Sequence, residues 1–186
     1  MIGITGNKNC KRLIGILVFL LVAWPCPAQR VAETYIDKHA PLARQLMHES
    51  GIPASVILGI SMVESAMGTS RNCKLLKNYF GIKGRNHLHK MKGAHRSAYK
   101  QYPTTEASFR HFVEIVQHKS WYDELKGVKE YDTWLHQLNH SGYAQAKGKW
   151  IRDVTSMIDK YDLDQYDRTE FYYFDDTIPV SPDTAR

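Results

Sequence analysis

The chain is poor in cysteine, has no apolar run long enough to cross a bilayer, shows no internal repeat, and carries no acidic residue between positions 84 and 101. Each absence excludes something. Of the three cysteines, Cys10 and Cys26 fall in an N-terminal stretch that reads as a removable leader, so Cys73 has no partner and the fold cannot rest on disulfides. A lone thiol in SRNCKLL is read as a small buried apolar residue, not as a nucleophile. The longest apolar run, residues 13–23, is about half the ~20 residues that a spanning helix needs, which argues against a stable membrane span. Without a repeat period the chain is not a solenoid or a propeller.

What is present at the N-terminus has the order of an export signal. Lys8, Lys11 and Arg12 precede the apolar run, and the segment closes on the small residue Ala28, so residues 1–28 are expected to be removed and the protein to be secreted or periplasmic. Lipid attachment at Cys26 would call for small residues before it; Trp24 and Pro25 stand there instead. The remaining chain of about 158 residues suits one domain, expected over 29–165, followed by an acidic, turn-rich tail over 166–186 that contains four adjacent aromatics, Phe171, Tyr172, Tyr173 and Phe174.

Charge narrows the partners. Loss of the leader's three cations takes the formal balance from +6 to about +3, which does not mark a nucleic-acid binder. The acid-free stretch is nonetheless strongly basic, with Arg85, Lys90, Lys92, Arg96 and Lys100, and reads either as a solvated loop or as a surface for an anionic wall polymer. His87 and His89 form an HxH pair, but no third ligand stands at a useful spacing, so neither a metal nor any other cofactor is expected.

Periodicity predicts a mainly α chain. Helices are expected over 33–50, with Pro41 kinking it or marking its true start, and over 53–68, 71–77, 132–141 and 147–160. Another should be capped by Thr104 or Thr105 and bury Phe109, Phe112, Val113 and Val116. Trp134, Leu135 and Leu138 should face inward from one helix, and Trp150, Ile151, Val154 and Ile158 from the last. Residues 79–102 carry three glycines and no helical period, which fits a loop or a small hairpin.

The helix over 53–68 carries the chemistry. Val56, Ile57, Ile60, Val63 and Met67 make an apolar face, and Glu64, the one acid between positions 50 and 70, lies beside it near the helix end. Burial and the negative end of the helix dipole both disfavour the ionised form, and a carboxylic acid that keeps its proton near neutral pH is what general acid catalysis needs. The alternative is a rim carboxylate that reaches water.

Three stretches in this order, GIPASVILGISMVESAMGTS, NYFGIKG and SGYAQ, resemble the peptidoglycan N-acetylglucosaminidases of glycoside hydrolase family 73, which include the flagellar muramidase-like domain; the similarity spans roughly residues 31–163. The resemblance implies a lysozyme-like fold: a mainly α (α+β) helical domain with a small β-hairpin lobe beside a groove. It also implies an autolysin-like activity on peptidoglycan glycan strands, cutting the β-1,4 bond between N-acetylglucosamine and N-acetylmuramic acid in a protein acting as a monomer. Glu64 would be the catalytic acid, Tyr143 the tyrosine of the GYA motif and a catalytic residue, and Asn78, Tyr79, Phe80 and Lys83 would be the substrate-binding residues of the NYFGIKG stretch. Tyr79 and Phe80 could offer faces to sugar rings, Phe80 equally well a core side chain, and Lys83 could meet a carboxylate of the substrate. One departure stands out: family members often place a second carboxylate in the lobe, where this chain has none. Glu106, Asp123 or Glu124 could supply it, or the substrate's own acetamido group could take its place. A lytic transglycosylase and a non-catalytic wall-binding module are the rival readings.

Overall fold

The computed structural model describes residues 27–90, 96–143 and 147–168. Within them the chain enters the fold by a long helix, α1 (Pro27–Ser50). Its buried residues, among them Ala32, Tyr35, Ile36, His39, Ala43 and Leu46, recur every three or four positions and form a single stripe. The helix reaches back to Pro27, two residues into the expected leader, whose first 26 residues lie outside the described ones. Pro41 does not end it. The carbonyl that loses its donor there belongs to Asp37, an exposed residue, so water can replace the missing bond.

The next helix, α2 (Ala54–Ser65), is enclosed on nearly every side: of its twelve residues only Val63 and Glu64 are not buried. The apolar residues predict one buried face, and the small residues supply the others. A Cβ on Gly59 would sit 2.8 Å from Ile158, so the glycine lets a neighbouring helix come close, and the Ser61 hydroxyl receives a hydrogen bond from Tyr35 of α1 at 2.9 Å. Pro53 gives the helix no side-chain cap. The carboxylate of Asp167, in a closing 3-10 turn (Leu163–Asp167), accepts from the Ser55 N–H at 2.9 Å instead, at the positive end of the helix dipole. Residues 166 and 167 therefore belong to the folded domain and not to the tail expected from 166: Tyr166 packs on the core and Asp167 is buried. The aromatic cluster of the tail lies outside the described residues.

Among the described residues five further α-helices follow: α3 (Arg71–Leu76), α4 (Thr105–Gln117), α5 (Tyr122–Leu125), α6 (Tyr131–His140) and α7 (Lys147–Lys160). Thr104 caps α4 by accepting from the Ala107 N–H, and Phe109, Phe112, Val113 and Val116 are buried from it. Trp134, Leu135 and Leu138 of α6 and Trp150, Val154 and Ile158 of α7 fill the rest of the core; Ile151, expected with them, is half exposed. Cys73 is free and buried.

The lobe between α3 and α4 was expected to be a loop or a small hairpin. Among the described residues its β structure is one isolated antiparallel bridge, Lys83 with Tyr99. Two runs of chain are tied by Lys100 N–H to the Ile82 carbonyl (2.7 Å), Gly84 N–H to the Ala98 carbonyl (2.9 Å) and Gln101 N–H to the Arg85 carbonyl (3.0 Å). Side chains do part of the work of a ladder: the Asn78 amide donates to the carbonyls of Ile82 and Lys100 and accepts from the Ile82 N–H.

The helix expected to run to Gly68 stops at Ser65, because Ala66, Met67 and Gly68 all turn left-handed, with φ of 49°, 52° and 74°. For the two residues with side chains this costs about 1–2 kcal/mol each. The turn is held by hydrogen bonds from Met67 N–H to the Met62 carbonyl, Gly68 N–H to Ser65 Oγ and Ser70 N–H to the Ser65 carbonyl. Ala66 is exposed, so Ala66→Gly relieves strain without loss of packing. The added freedom of the unfolded chain takes back about 0.4–1 kcal/mol. The expected net gain of up to about 1 kcal/mol corresponds to roughly 2–4 °C in Tm, and a thermal melt checks it.

Candidate active site

Glu64 occupies the last turn of α2, where the wrapped helix first opens. One carboxylate oxygen, Oε1, accepts from the Trp150 indole N–H at 2.9 Å. The other, Oε2, lies over Gly81, so close that a Cβ at 81 would stand 2.9 Å from it. Gly81 also has φ of +64°, and both facts call for glycine. Burial raises the Glu64 pKa, and the Trp150 hydrogen bond opposes part of that rise. Among the described residues no other carboxylate adds to this rise.

The peptide beside Gly81 is fixed from both sides. Phe80 is only 2% exposed and stacks on Phe112 of α4 with centroids 4.3 Å apart and planes within 6°. Its carbonyl accepts from the Tyr143 hydroxyl at 3.0 Å. The Tyr143 ring lies between Trp150 and Phe112, at 5.5 and 5.8 Å. Burial, and after it the nearby charge of Glu64, push the Tyr143 pKa well above the usual phenol range, so the hydroxyl keeps the proton that it donates. Glu64, Trp150, Gly81, Phe80 and Tyr143 thus form one connected unit.

The remaining expected site residues divide. Phe80 is a core side chain and not a sugar platform, because its ring is spent on Phe112 and, edge-on, Phe109. Asn78 is 2% exposed, with its amide committed to the lobe backbone. Tyr79 is turned away from Phe80 toward His39 and Tyr35 of α1. Lys83 is exposed on the lobe. As for a second acid, Glu106 is paired with Arg110, which also holds Glu49, and Asp123 and Glu124 are exposed on α5. His87 of the HxH pair contacts the Gln101 side chain at 2.7 Å, and no group of three metal-ligating side chains occurs among the described residues.

Two residues escaped the sequence reading. Trp150 passed as a core residue, although an indole N–H taken into a core needs an acceptor and Glu64 was the acid to hand. Tyr99 had no periodic signal at all. Its Cε1 lies 3.9 Å from the same point above Gly81 that Glu64 crowds, so this half-exposed ring faces the carboxyl across the glycine.

Residues 40–163 match the model of the glucosaminidase family, described as mannosyl-glycoprotein endo-beta-N-acetylglucosaminidase. The chain belongs to this family. It is a glycoside hydrolase with the mainly α, lysozyme-like fold that the three motifs imply. Solved structures share that fold. The catalytic domain of the autolysin Auto from Listeria monocytogenes is 21% identical, with 80% of this chain and 92% of that one covered and a TM-score of 0.60. The glycoside hydrolase domain of FlgJ from Salmonella typhimurium is 19% identical, with 70% and 88% covered and a TM-score of 0.55. A peptidoglycan hydrolase mutant from Sphingomonas sp. A1 is 17% identical, with 72% and 97% covered and a TM-score of 0.56. No curated protein sequence matches the chain.

Trp150→Phe keeps the ring packing and deletes the donor that favours ionised Glu64. The carboxyl should then hold its proton to higher pH, and the basic limb of the pH–rate profile should move up. A downward move would show that Trp150 does not act on this carboxyl.

Proposed function

We propose that the protein is an exported peptidoglycan hydrolase that cleaves the β-1,4 bond between N-acetylglucosamine and N-acetylmuramic acid, with Glu64 as general acid. The observation that carries this reading is the state of Glu64: half-buried, its charged form disfavoured, and placed where the bundle opens toward the lobe. Cleavage of a glycoside needs a proton on the leaving oxygen while positive charge grows on the sugar, and such a carboxyl supplies it. Peptidoglycan as the polymer is supported by the fold shared with an autolysin and a peptidoglycan hydrolase, and by the exposed cations Arg85 and Arg96 on the lobe. The ordered basic, apolar and small-residue pattern of residues 1–28 supports export to where that polymer lies.

Among the described residues no second carboxylate acts on Glu64, which favours attack by the substrate itself. In this scheme the acetamido oxygen of the N-acetylglucosamine bonds to the anomeric carbon as the glycosidic bond breaks, and Glu64 passes its proton to the departing oxygen. Water then opens the cyclic intermediate and gives a proton to the Glu64 carboxylate, which restores the acid. Tyr143 has a positioning role. Its proton is committed to the Phe80 carbonyl, which holds Gly81 under Glu64, and its oxygen remains free to accept the acetamido N–H. Tyr143→Phe should reduce kcat by roughly 10- to 100-fold, from the loss of one hydrogen bond of about 1.5–3 kcal/mol to a charge-bearing centre.

Glu64→Gln tests the assignment of the acid. Hydrolysis of purified wall should fall by about 10²- to 10⁴-fold or more. Because the folded protein holds this proton above the ordinary carboxylate range, Glu64 costs stability as pH rises through that range and costs nothing below it. The variant should therefore melt at an equal or higher temperature at neutral pH, with no gain in acid. Mass spectrometry of the products should show reducing N-acetylglucosamine ends. Anhydro-sugar ends would mean a lytic transglycosylase, and no products a binding module.

A further inference from the structure

A cavity of about 360 Å³ opens beside the site, between α1 and the turn that follows α2. Its walls include Arg30, Lys38 and His39 of α1, Met67 and Gly68 of the turn, and Tyr79. Tyr79 joins it to the Phe80–Gly81 peptide, and the turn joins it to Glu64. Ser61, which bonds Tyr35 in the cavity wall, lies about a sixth of a turn round α2 from Glu64, so the cavity and the carboxyl occupy neighbouring faces of one helix end.

The charged side chains that line this cavity are of one sign. Arg30 and Lys38 are exposed at its edge, eight positions apart on α1 and so on the same face of the helix, with Thr34 between them. No acid lines it. The nearest acids of α1 look elsewhere: Glu33 accepts from the Gln29 side chain, and Asp37 lies near Tyr166. His39 forms part of the wall, is only 4% exposed, and has Tyr35, Tyr79 and Phe109 as ring neighbours at 4.4, 5.2 and 5.4 Å. Burial, aided by the Lys38 charge, pushes its pKa down to about 4, so at neutral pH it offers one N–H donor and one acceptor.

Two cations at a rim, a neutral imidazole in the wall and aromatic faces around it suit a carboxylate on a short, partly apolar chain. We infer that this cavity is a subsite for the stem peptide of peptidoglycan, with a glutamyl carboxylate between Arg30 and Lys38, a polar contact at His39, and an alanyl methyl against Tyr79. The inference rests on the reading of the polymer as peptidoglycan and adds to it the part of the polymer that is recognised. It makes the enzyme discriminate between peptide-bearing and bare glycan.

NMR of the His39 ring nitrogens in the whole protein reads the subsite directly. The probe is N-acetylmuramoyl-alanyl-glutamate with its γ-carboxyl capped as the methylamide, which leaves free the α-carboxylate that a γ-linked stem peptide carries, and the control is the same molecule with that α-carboxyl amidated. The acid should shift the His39 signals saturably. The amidated form should bind at least about tenfold more weakly, as should the acid to an Arg30→Gln, Lys38→Gln double variant, in keeping with the loss of charge-assisted hydrogen bonds. Both residues are exposed, so the double variant should melt as the parent does. A silent His39, equal affinity for the two probes, or undiminished binding by the double variant would overturn the subsite. Failure of the hydrolytic reading shows elsewhere, as the absence of products from purified wall, and the two outcomes cannot be confused.

Discussion

A single carboxyl group placed against a glycine is the constraint from which the rest of the architecture follows. Among the described residues Glu64, half out of water, has one hydrogen bond, from Trp150, and no cationic partner, and the position of its second oxygen leaves no room for any side chain at 81. In water such a group would ionise near the usual carboxylate pKa; here burial and the end of α2 both favour the proton. A protein tolerates that arrangement only when its neighbours cannot relax away from it.

The surroundings of Glu64 show how relaxation is prevented. α2 is enclosed by α1 through the Tyr35–Ser61 hydrogen bond, by α7 through the close approach at Gly59, and by Asp167 at its start, so its end is fixed in space. The two left-handed residues that follow, Ala66 and Met67, stop the helix immediately beyond the acid, strain that the hydrogen bonds of the turn hold in place. On the other side Phe80 anchors the lobe to α4, Tyr143 fastens the Phe80 carbonyl, and Asn78 takes over the hydrogen bonding that a regular hairpin would supply. The NYFGIKG stretch therefore serves the site mostly from beneath, as scaffold.

This explains what could be read from the sequence and what could not. The helices were legible because their apolar residues recur at helical spacing, and Glu64 stood out as a lone acid beside an apolar face. Its partner Trp150 was hidden, since a tryptophan on an apolar stripe looks the same whether its N–H is idle or bonded to something 86 positions away. Phe80 could equally be platform or core, and only the stacked ring of Phe112 decides it. Helix α2 was expected to run to Gly68 because a glycine is the usual stop; the chain instead turns left-handed two residues sooner on side chains that rarely do so. The lobe was expected as a loop or a small hairpin, and among the described residues an asparagine side chain supplements its one antiparallel bridge, which no periodic pattern records.

The claim on which all of this depends is that the fold keeps Glu64 protonated above the range of an ordinary glutamic acid. It is measured most directly by carbon-13 NMR of the Glu64 side-chain carboxyl, titrated in the intact protein and assigned by comparison with Glu64→Gln. The account predicts a midpoint above the ~4.3 of an unperturbed glutamate. A midpoint at or below that value would contradict it, because the carboxyl would then be an ionised rim group that could not serve as the acid.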